Sequence, residues 1–274
     1  MRYLRLFAVL FLVFSILFSI WVNNRYFSSL NADSPEIQNS TDLLQISVQD
    51  PPEAILRGLT ATDATDGDLT NQIMVSSISH FLKPGTVNVR YVVFDKHNNS
   101  ATLTRKVHYT DYTSPVFSLE KAPIYTVGNS FDLLDYVKVT DCIDGDISGK
   151  IRVISNMVNN YSVGQYPVVL EVSNSCGDTA QITLWVSYQN KAPTAFIHLY
   201  QYIIYITEGD EFDPYRWVTS VTDRDANPLS TKKIEILGNL DINTPGSYQL
   251  VYSYNDGKLT GQSALTVVVA ERQE

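Results

Sequence analysis

The 274-residue sequence has few of the residues on which most catalytic and redox sites depend. It contains two cysteines, Cys142 and Cys176, and four histidines scattered along the chain. No HExxH, CxxC, nucleophile-elbow or glycine-rich phosphate-loop pattern is present. We therefore predict that the protein is not an enzyme.

An excess of basic charge is also missing. The chain has 20 Lys and Arg against 29 Asp and Glu, which gives a formal net charge of −9. An acidic surface repels the phosphate backbone of nucleic acids and the surface of anionic lipids. We therefore expect no nucleic-acid partner.

Long hydrophobic runs are confined to the N-terminus, where an uncharged apolar run over residues 6–22 follows Arg2 and Arg5. As a helix, this run would extend roughly 26 Å, near the lower limit for crossing a bilayer. Basic residues ahead of such a run keep that end cytoplasmic. We predict a signal anchor or transmembrane helix over residues 1–23 and a linker over 24–33. The protein would then be a single-pass protein of the cell membrane with extracellular C-terminal domains; the alternative is secretion after cleavage of this segment.

The rest of the chain repeats itself three times. Ser34-Pro35, Ser114-Pro115 and Ala192-Pro193 open the copies at spacings of 80 and 78 residues. In each copy a Thr-Asp pair, a glycine turn and two alternating stretches rich in Tyr and Val follow in the same order, the first stretches reading TVNVRYVVFD, QYPVVLEVSN and SYQLVYSYND.

Alternation of β-branched and aromatic residues with period two is typical of half-buried antiparallel strands. A unit of about 80 residues with short strands fits a small immunoglobulin-like sandwich. We predict an all-β fold of tandem immunoglobulin-like β-sandwiches after a single N-terminal transmembrane helix. The repeats would span residues 34–112, 113–190 and 191–274, the third being divergent.

The stretches ATDATDGDLTNQI and KPGTVNVRYVVFDKHNNSATLTRKV resemble the bacterial immunoglobulin-like repeat found in surface proteins and in a pesticidal crystal protein. Repeat 1 departs from that pattern at Val87 and Asn98, repeat 2 has Asn174 at the later Asp position, and repeat 3 reads DRDANPLS in place of the Asp-Gly-Asp turn. The likeness is strong in repeat 1, moderate in repeat 2 and weak in repeat 3. It implies extracellular architecture in a bacterium and no single activity.

The Asp-Gly-Asp turn at residues 66–68 and 144–146 allows two interpretations. Asp side chains bond nearby backbone groups, and glycine adopts positive φ, so the turn can recur because the fold recurs. Clustered carboxylates are also calcium ligands, and calcium is the one possible cofactor of this chain. The candidate ligands are Asp63, Asp66, Asp68 and Asp95.

The two cysteines lie in repeat 2 and, if the chain is extracellular, favour a disulfide bond with each other. Aligning the repeats places Cys142 beside the acidic turn and Cys176 in the loop between the last two strands. We predict a Cys142–Cys176 disulfide that holds the turn against this loop. Asp63 and Asp95 would then be neighbours in repeat 1.

Repeat 3 is rich in aromatic residues over FIHLYQYIIYITEGDEFDPYRWV. The candidates for a ligand surface are Tyr200, Tyr202, Tyr215 and Trp217. Such residues stack on sugar rings or pack on a protein partner, but a small domain also buries its aromatics in its core. Both interpretations stay open.

We therefore predict a membrane-anchored bacterial cell-surface protein with an extracellular stalk or interaction role. The alternative is an adhesion module with its contact surface in repeat 3. Its partner would be a cell-wall or host glycan, or a surface protein.

Overall fold

The computed structural model describes residues 11–23, 34–130 and 132–272. The chain divides into two compact units, Met1–Tyr112 and Thr113–Glu274. The first contains repeat 1, and the second contains repeats 2 and 3. The predicted linker over residues 24–33 lies outside the described residues.

Residues 11–23 form a helix, α1. This helix is the described part of the predicted segment 1–23, of which residues 1–10 lie outside the described residues. Across the described parts of the chain, no helix is long and apolar enough to cross a membrane. The prediction of a single-pass location in the cell membrane is therefore wrong, and the described residues support neither the predicted transmembrane helix nor the predicted membrane partner.

Residues 34–112 form two facing sheets, with strand orders β1-β3-β4 and β2-β7-β6-β5. Strands β2 and β7 pair in parallel, and the other pairs are antiparallel. The strands are β1 (Glu36–Asn39), β2 (Leu43–Ile46), β3 (Leu59–Asp63), β4 (Gly67–Asp68), β5 (Met74–Ile78), β6 (Thr86–Phe94) and β7 (Ser100–Tyr109), with short 3-10 helices at Pro52–Leu56 and Thr70–Gln72.

Repeat 2 has the same topology, with strand orders β8-β10-β11 and β9-β14-β13-β12. Its strands are β8 (Val116–Leu119), β9 (Ile124–Thr126), β10 (Val137–Asp141), β11 (Gly145–Asp146), β12 (Arg152–Asn156), β13 (Gly164–Ser173) and β14 (Thr179–Gln189), with 3-10 helices at Leu133–Tyr136 and Ser148–Lys150.

Repeat 3 repeats the pattern once more, with orders β15-β17-β18 and β16-β21-β20-β19. Its strands are β15 (Ala195–Leu199), β16 (Ile203–Thr207), β17 (Val218–Asp223), β18 (Pro228–Leu229), β19 (Ile234–Leu237), β20 (Gly246–Asn255) and β21 (Thr260–Ala270), with 3-10 helices at Pro214–Trp217 and Thr231–Lys233. The predicted series of immunoglobulin-like sandwiches is confirmed. The proposed repeat boundaries stay a prediction.

The period-two pattern of the sequence places one face of each long strand in the core. In β6, Val87, Val89, Tyr91 and Val93 are all 0 % exposed. Each such side chain contributes about 1.5–3 kcal/mol when it is fully buried. The inner faces of the paired sheets therefore supply the apolar burial that holds each sandwich together.

Arg105 is an exception within this apolar core. It is only 2 % exposed, whereas Leu184 and Leu265 occupy the equivalent register of repeats 2 and 3. Its guanidinium donates to the carbonyl oxygens of Arg57 at 2.8 Å and Ile55 at 2.9 Å. The buried charge thus satisfies carbonyls at the end of the short helix that precedes β3.

Repeats 2 and 3 share a packed junction inside the second unit. The Tyr205 hydroxyl, from β16, accepts the N–H of Phe117 at 2.9 Å and donates to the Phe117 carbonyl at 3.3 Å. Ile203, also from β16, is 5 % exposed and packs into the core of repeat 2. Tyr202 packs against the cores of both repeats. The two sandwiches are therefore joined by side chains as well as by the chain itself.

Removing the Tyr205 hydroxyl tests this junction. Tyr205→Phe should lower the stability of the second unit by about 1 kcal/mol, because both polar groups of Phe117 lose their partner. The expected fall in the midpoint of thermal unfolding is about 2–4 °C for a unit of this size. Circular dichroism melting of Tyr215→Phe, which alters a ring that is 57 % exposed, provides the matched control. Equal midpoints for the two variants would show that the hydroxyl does not stabilise the junction.

Candidate functional site

The acidic turn of repeat 1 is held by its own carboxylates. Asp63 Oδ1 accepts two following backbone N–H groups, including that of Asp66, at 2.8 Å each. Gly67, at φ +78°, lets the chain reverse into β4. Asp68 Oδ1 accepts the N–H of Thr70 at 2.9 Å, and the hydrogen bonds from Thr70 lower the pKa of Asp68. Asp side chains that accept nearby backbone N–H groups therefore stabilise the turn.

A second carboxylate ties each acidic turn to the loop between the last two strands of its repeat. In repeat 1, Asp66 accepts the backbone N–H of Lys96 at 2.8 Å and its ammonium at 3.0 Å, and these contacts lower the pKa of Asp66. In repeat 2, Asp144 accepts the N–H and hydroxyl of Ser175 at 2.8 and 2.6 Å. The ammonium of Lys150 lies 3.0 Å from the same carboxylate. The turn and the loop thus meet in both repeats.

The carboxylates proposed as calcium ligands are already used by N–H donors. Burial opposes ionisation of Asp95, but hydrogen bonds from Asn99 and His97 lower its pKa. Across the described residues, no group of three or more His, Cys, Asp or Glu side chains is placed to hold a metal ion. Calcium binding stays a prediction. Thermal unfolding with calcium and with a chelator tests it, since a metal that binds only the native state raises the midpoint.

The predicted disulfide between Cys142 and Cys176 is wrong, because both residues are free thiols. The Cys142 thiol donates instead to the carbonyl of Thr113 at 3.1 Å. Cys176 is buried, and this burial raises the pKa of its thiol. The contact that the disulfide was expected to make is formed by Asp144 and Ser175.

The aromatic residues proposed as a ligand surface in repeat 3 divide into two classes. Tyr200 is 75 % exposed and Tyr215 is 57 % exposed. Tyr202 and Trp217 are half-buried and pack against the core of the repeat. Core packing therefore accounts for two of the four, and two remain available to a partner.

One carboxylate oxygen distinguishes repeat 1 from repeat 2. In repeat 2, the Asn174 side-chain amide donates to Asp141 Oδ2 at 3.1 Å. In repeat 1, Asp95 occupies the Asn174 position, and the buried Oδ2 of Asp63 has no hydrogen-bond partner among the described residues. The residue four positions further along also differs, being Asn99 in repeat 1 and Asp178 in repeat 2. Repeat 1 therefore has the carboxylate first and the amide four residues later, whereas repeat 2 has the amide first and the carboxylate four residues later.

A cleft of about 530 Å³ lies within the second unit, between strands of repeats 2 and 3. Trp185 of β14 and Gln249 of β20 line it, together with Gln165 and Tyr248. None of these four residues was predicted to be functional from the sequence. The available signal was the position of Trp185 in the alternating stretch QITLWVSY, where a large aromatic residue falls on the face that points away from the core.

The model of the family described as bacterial surface protein, Ig-like domain, matches residues 54–108 and 201–269 of the chain. The resemblance predicted from the repeat pattern is therefore confirmed. The second match lies in repeat 3, the copy in which the sequence likeness is weakest.

Two curated relatives resemble most of the chain. The pesticidal crystal protein Cry22Aa of Bacillus thuringiensis is 28 % identical over 224 residues, which cover 78 % of this chain and 30 % of that protein. An uncharacterized 81.3 kDa protein of Acholeplasma phage L2 is 22 % identical over 245 residues, which cover 85 % and 33 % respectively. The chain thus spans about a third of the length of these relatives.

Among solved structures, similarity extends to the M60 catalytic domain with the CBM51-1 and CBM51-2 domains of Clostridium perfringens ZmpB. The identity is 14 % and the TM-score 0.25, with 88 % of this chain and 31 % of that chain covered. Drosophila N-cadherin EC1-3 is 11 % identical with a TM-score of 0.29, and the match covers 85 % of this chain and 98 % of that chain.

Exchanging the amide and carboxylate of repeat 1 tests the role of the unpaired Asp63 oxygen. The double variant Asp95→Asn/Asn99→Asp reproduces the arrangement of repeat 2 and gives Asp63 Oδ2 a donor. We expect it to raise the midpoint of unfolding of the first unit by at least about 4 °C, a shift typical of one net hydrogen bond in a small domain.

The single variant Asp95→Asn is the control, because it places two amide groups side by side and should not give the gain. The reverse exchange in repeat 2, Asn174→Asp/Asp178→Asn, should lower the midpoint of the second unit. If both exchanges leave the midpoints unchanged, the orphaned oxygen of Asp63 has no energetic consequence.

The link between turn and loop should also depend on pH. Hydrogen bonds and the neighbouring ammonium hold the pKa of Asp144 below its ordinary value although burial opposes this. Its stabilising effect is therefore present above the unfolded pKa and is lost as the pH falls through the folded pKa, which lies below the ordinary value of an Asp carboxyl. Denaturant unfolding between about pH 6 and pH 3 should show a smaller acid-induced loss of stability for Asp144→Asn than for the parent. Identical pH profiles would contradict this role.

Proposed function

We propose that this chain is a non-catalytic part of a bacterial surface protein, in which tandem immunoglobulin-like domains act as a stalk and interaction module. The observation that carries the proposal is the match of two separate regions, in repeats 1 and 3, to a family of bacterial surface domains. The match to this family supports a location outside the cell. How the chain is attached there is no part of the proposal.

The construction of the repeats supports a mechanical role. Stalks need domains that resist opening at their ends and do not bend freely where they meet. Asp66 and Asp144 bind one loop to another at the end of their sandwiches, and Tyr205 and Ile203 join repeat 2 to repeat 3. Short, packed junctions restrict relative motion of neighbouring domains.

The electrostatics of the acidic turns favour a structural role over catalysis. A general acid needs a carboxyl group whose pKa is raised towards the working pH. Hydrogen bonds from the neighbouring loops instead lower the pKa of Asp66 and of Asp144, and hydrogen bonds from Thr70 lower that of Asp68. These carboxylates are therefore ionised acceptors that hold the fold.

A second candidate function is adhesion through repeat 3. The exposure of Tyr200 and Tyr215 favours it, because large exposed aromatics are common at recognition surfaces. The partner would be a cell-wall or host glycan, or a surface protein. Loss of partner binding on Tyr200→Ala or Tyr215→Ala would distinguish this function from that of a plain stalk.

Labelling of intact cells tests the surface location. A membrane-impermeant amine reagent should label the chain on whole cells as fully as after lysis, because the described residues include lysines that are more than half exposed, such as Lys96 and Lys150. A cytoplasmic enzyme of the same cells serves as the control and should be labelled only after lysis. A chain that is protected in intact cells and labelled after lysis would overturn the proposal.

A further inference from the structure

The cleft between repeats 2 and 3 has the size of a ligand site. Its volume of about 530 Å³ falls within the ~300–1,000 Å³ typical of small-molecule sites. One wall is the outward face of β20 with Ser247 and Gln249, and the segment around Asn239 lies beside it. The opposite wall comes from repeat 2, with Gln165 and Trp185. The cleft therefore exists only because the two sandwiches are packed together.

The amide groups of the cleft are fixed in place before any ligand arrives. The Gln249 side chain donates to the backbone carbonyl of Trp185 at 2.7 Å. The Gln165 side chain donates in turn to Gln249 Oε1 at 3.2 Å. This chain of two hydrogen bonds bridges the repeats and limits the rotamers of both glutamines. Groups held in this way lose little entropy on binding.

Trp185 is placed as a contact surface and not as part of the core. Its neighbours Leu184 and Val186 are 0 % exposed and point into repeat 2, so the indole lies on the opposite face of β14. The side chain is half-buried by repeat 3. In the described parts of the chain its indole N–H meets no hydrogen-bond acceptor. The residue thus offers an apolar ring and a free donor to the cleft.

The chemistry of the lining selects a neutral, polyhydroxylated ligand. Among the residues that the structure describes, none that lines the cleft is Asp, Glu, Lys, Arg or His. An anionic ligand would need cationic partners such as Arg or Lys, which the cleft does not supply. Amide and hydroxyl groups match sugar hydroxyls as donors and acceptors, while the rings of Trp185 and Tyr248 match the apolar face of a sugar. The Tyr248 hydroxyl is already bonded to the Thr244 carbonyl at 2.9 Å, so this residue contributes its ring.

We infer that the cleft between repeats 2 and 3 binds a neutral saccharide, with Trp185 as the stacking platform and Gln165 and Gln249 as hydroxyl partners. The inference rests on the proposed role as a surface interaction module. It assigns the ligand class of that module and places the contact in the cleft and not on the exposed tyrosines of repeat 3.

The test is titration of the whole chain with maltotriose, cellotriose and N,N′,N″-triacetylchitotriose in an isothermal titration calorimeter. We expect saturable binding of at least one of these neutral trisaccharides. Trp185→Ala and Gln165→Ala should each weaken this binding by about tenfold or more, as truncation of a central contact does. Gln165 is exposed, so its variant should keep the parent melting temperature even if Trp185→Ala does not fold.

Tyr161→Ala is the matched control, since it removes an aromatic side chain that is 81 % exposed and does not line the cleft, and it should leave the affinity unchanged. If Tyr215→Ala weakens binding and Gln165→Ala does not, the cleft is not the saccharide-binding site. That result would support adhesion through the exposed tyrosines of repeat 3 instead. Binding of none of the three sugars would overturn the inference, while labelling of intact cells would still decide the surface location independently.

Discussion

The sandwiches of repeats 1 and 2 depend on carboxylates that accept backbone N–H groups where the acidic turn meets the last hairpin. A β-sandwich gains most of its stability from its apolar inner faces, but its loops contain backbone groups that no strand satisfies. Asp63 and Asp141 satisfy such groups within the turn, and Asp66 and Asp144 satisfy them in the neighbouring loop. Because an ionised acceptor forms a stronger hydrogen bond than a neutral one, a short polar turn suffices to close that end of the sandwich.

In repeat 2 the two loops are held together by hydrogen bonds and not by a disulfide. A covalent bond and a set of charge-assisted hydrogen bonds would hold the same two loops, and the Asp144 carboxylate already takes both the backbone and the hydroxyl donor of Ser175. The Cys142 thiol is directed to the Thr113 carbonyl, in the segment that leads into β8. The cysteines lie near the contact without forming it.

Much of the fold could be predicted from the sequence because period-two alternation is a local property. The stretch TVNVRYVVFD is strand β6, and its counterparts QYPVVLEVSN and SYQLVYSYND fall on β13 and β20. The meeting of acidic turn and hairpin loop also follows from the alignment of repeats. Side-chain geometry cannot be read from the sequence in the same way. The acidic turn and the hairpin loop of repeat 2 were therefore correctly predicted to be close, but a disulfide was predicted where hydrogen bonds hold them. The burial of Arg105 could not be predicted from the sequence either, because its carbonyl partners belong to a segment about fifty positions earlier.

The candidate site could not be predicted for a related reason. Gln249 contacts the backbone of Trp185 across 64 positions, and Tyr205 contacts Phe117 across 88. Such contacts depend on how one sandwich packs on the next, which no pattern within a repeat encodes. Where one sandwich packs on the next, residues of both line a shared cavity, as Val116 of repeat 2 and Tyr200 of repeat 3 do. Two packed sandwiches create a concave surface, where rings and fixed amides converge on one ligand. In this chain the junction that stiffens the repeats therefore also creates the concave surface suited to specific recognition.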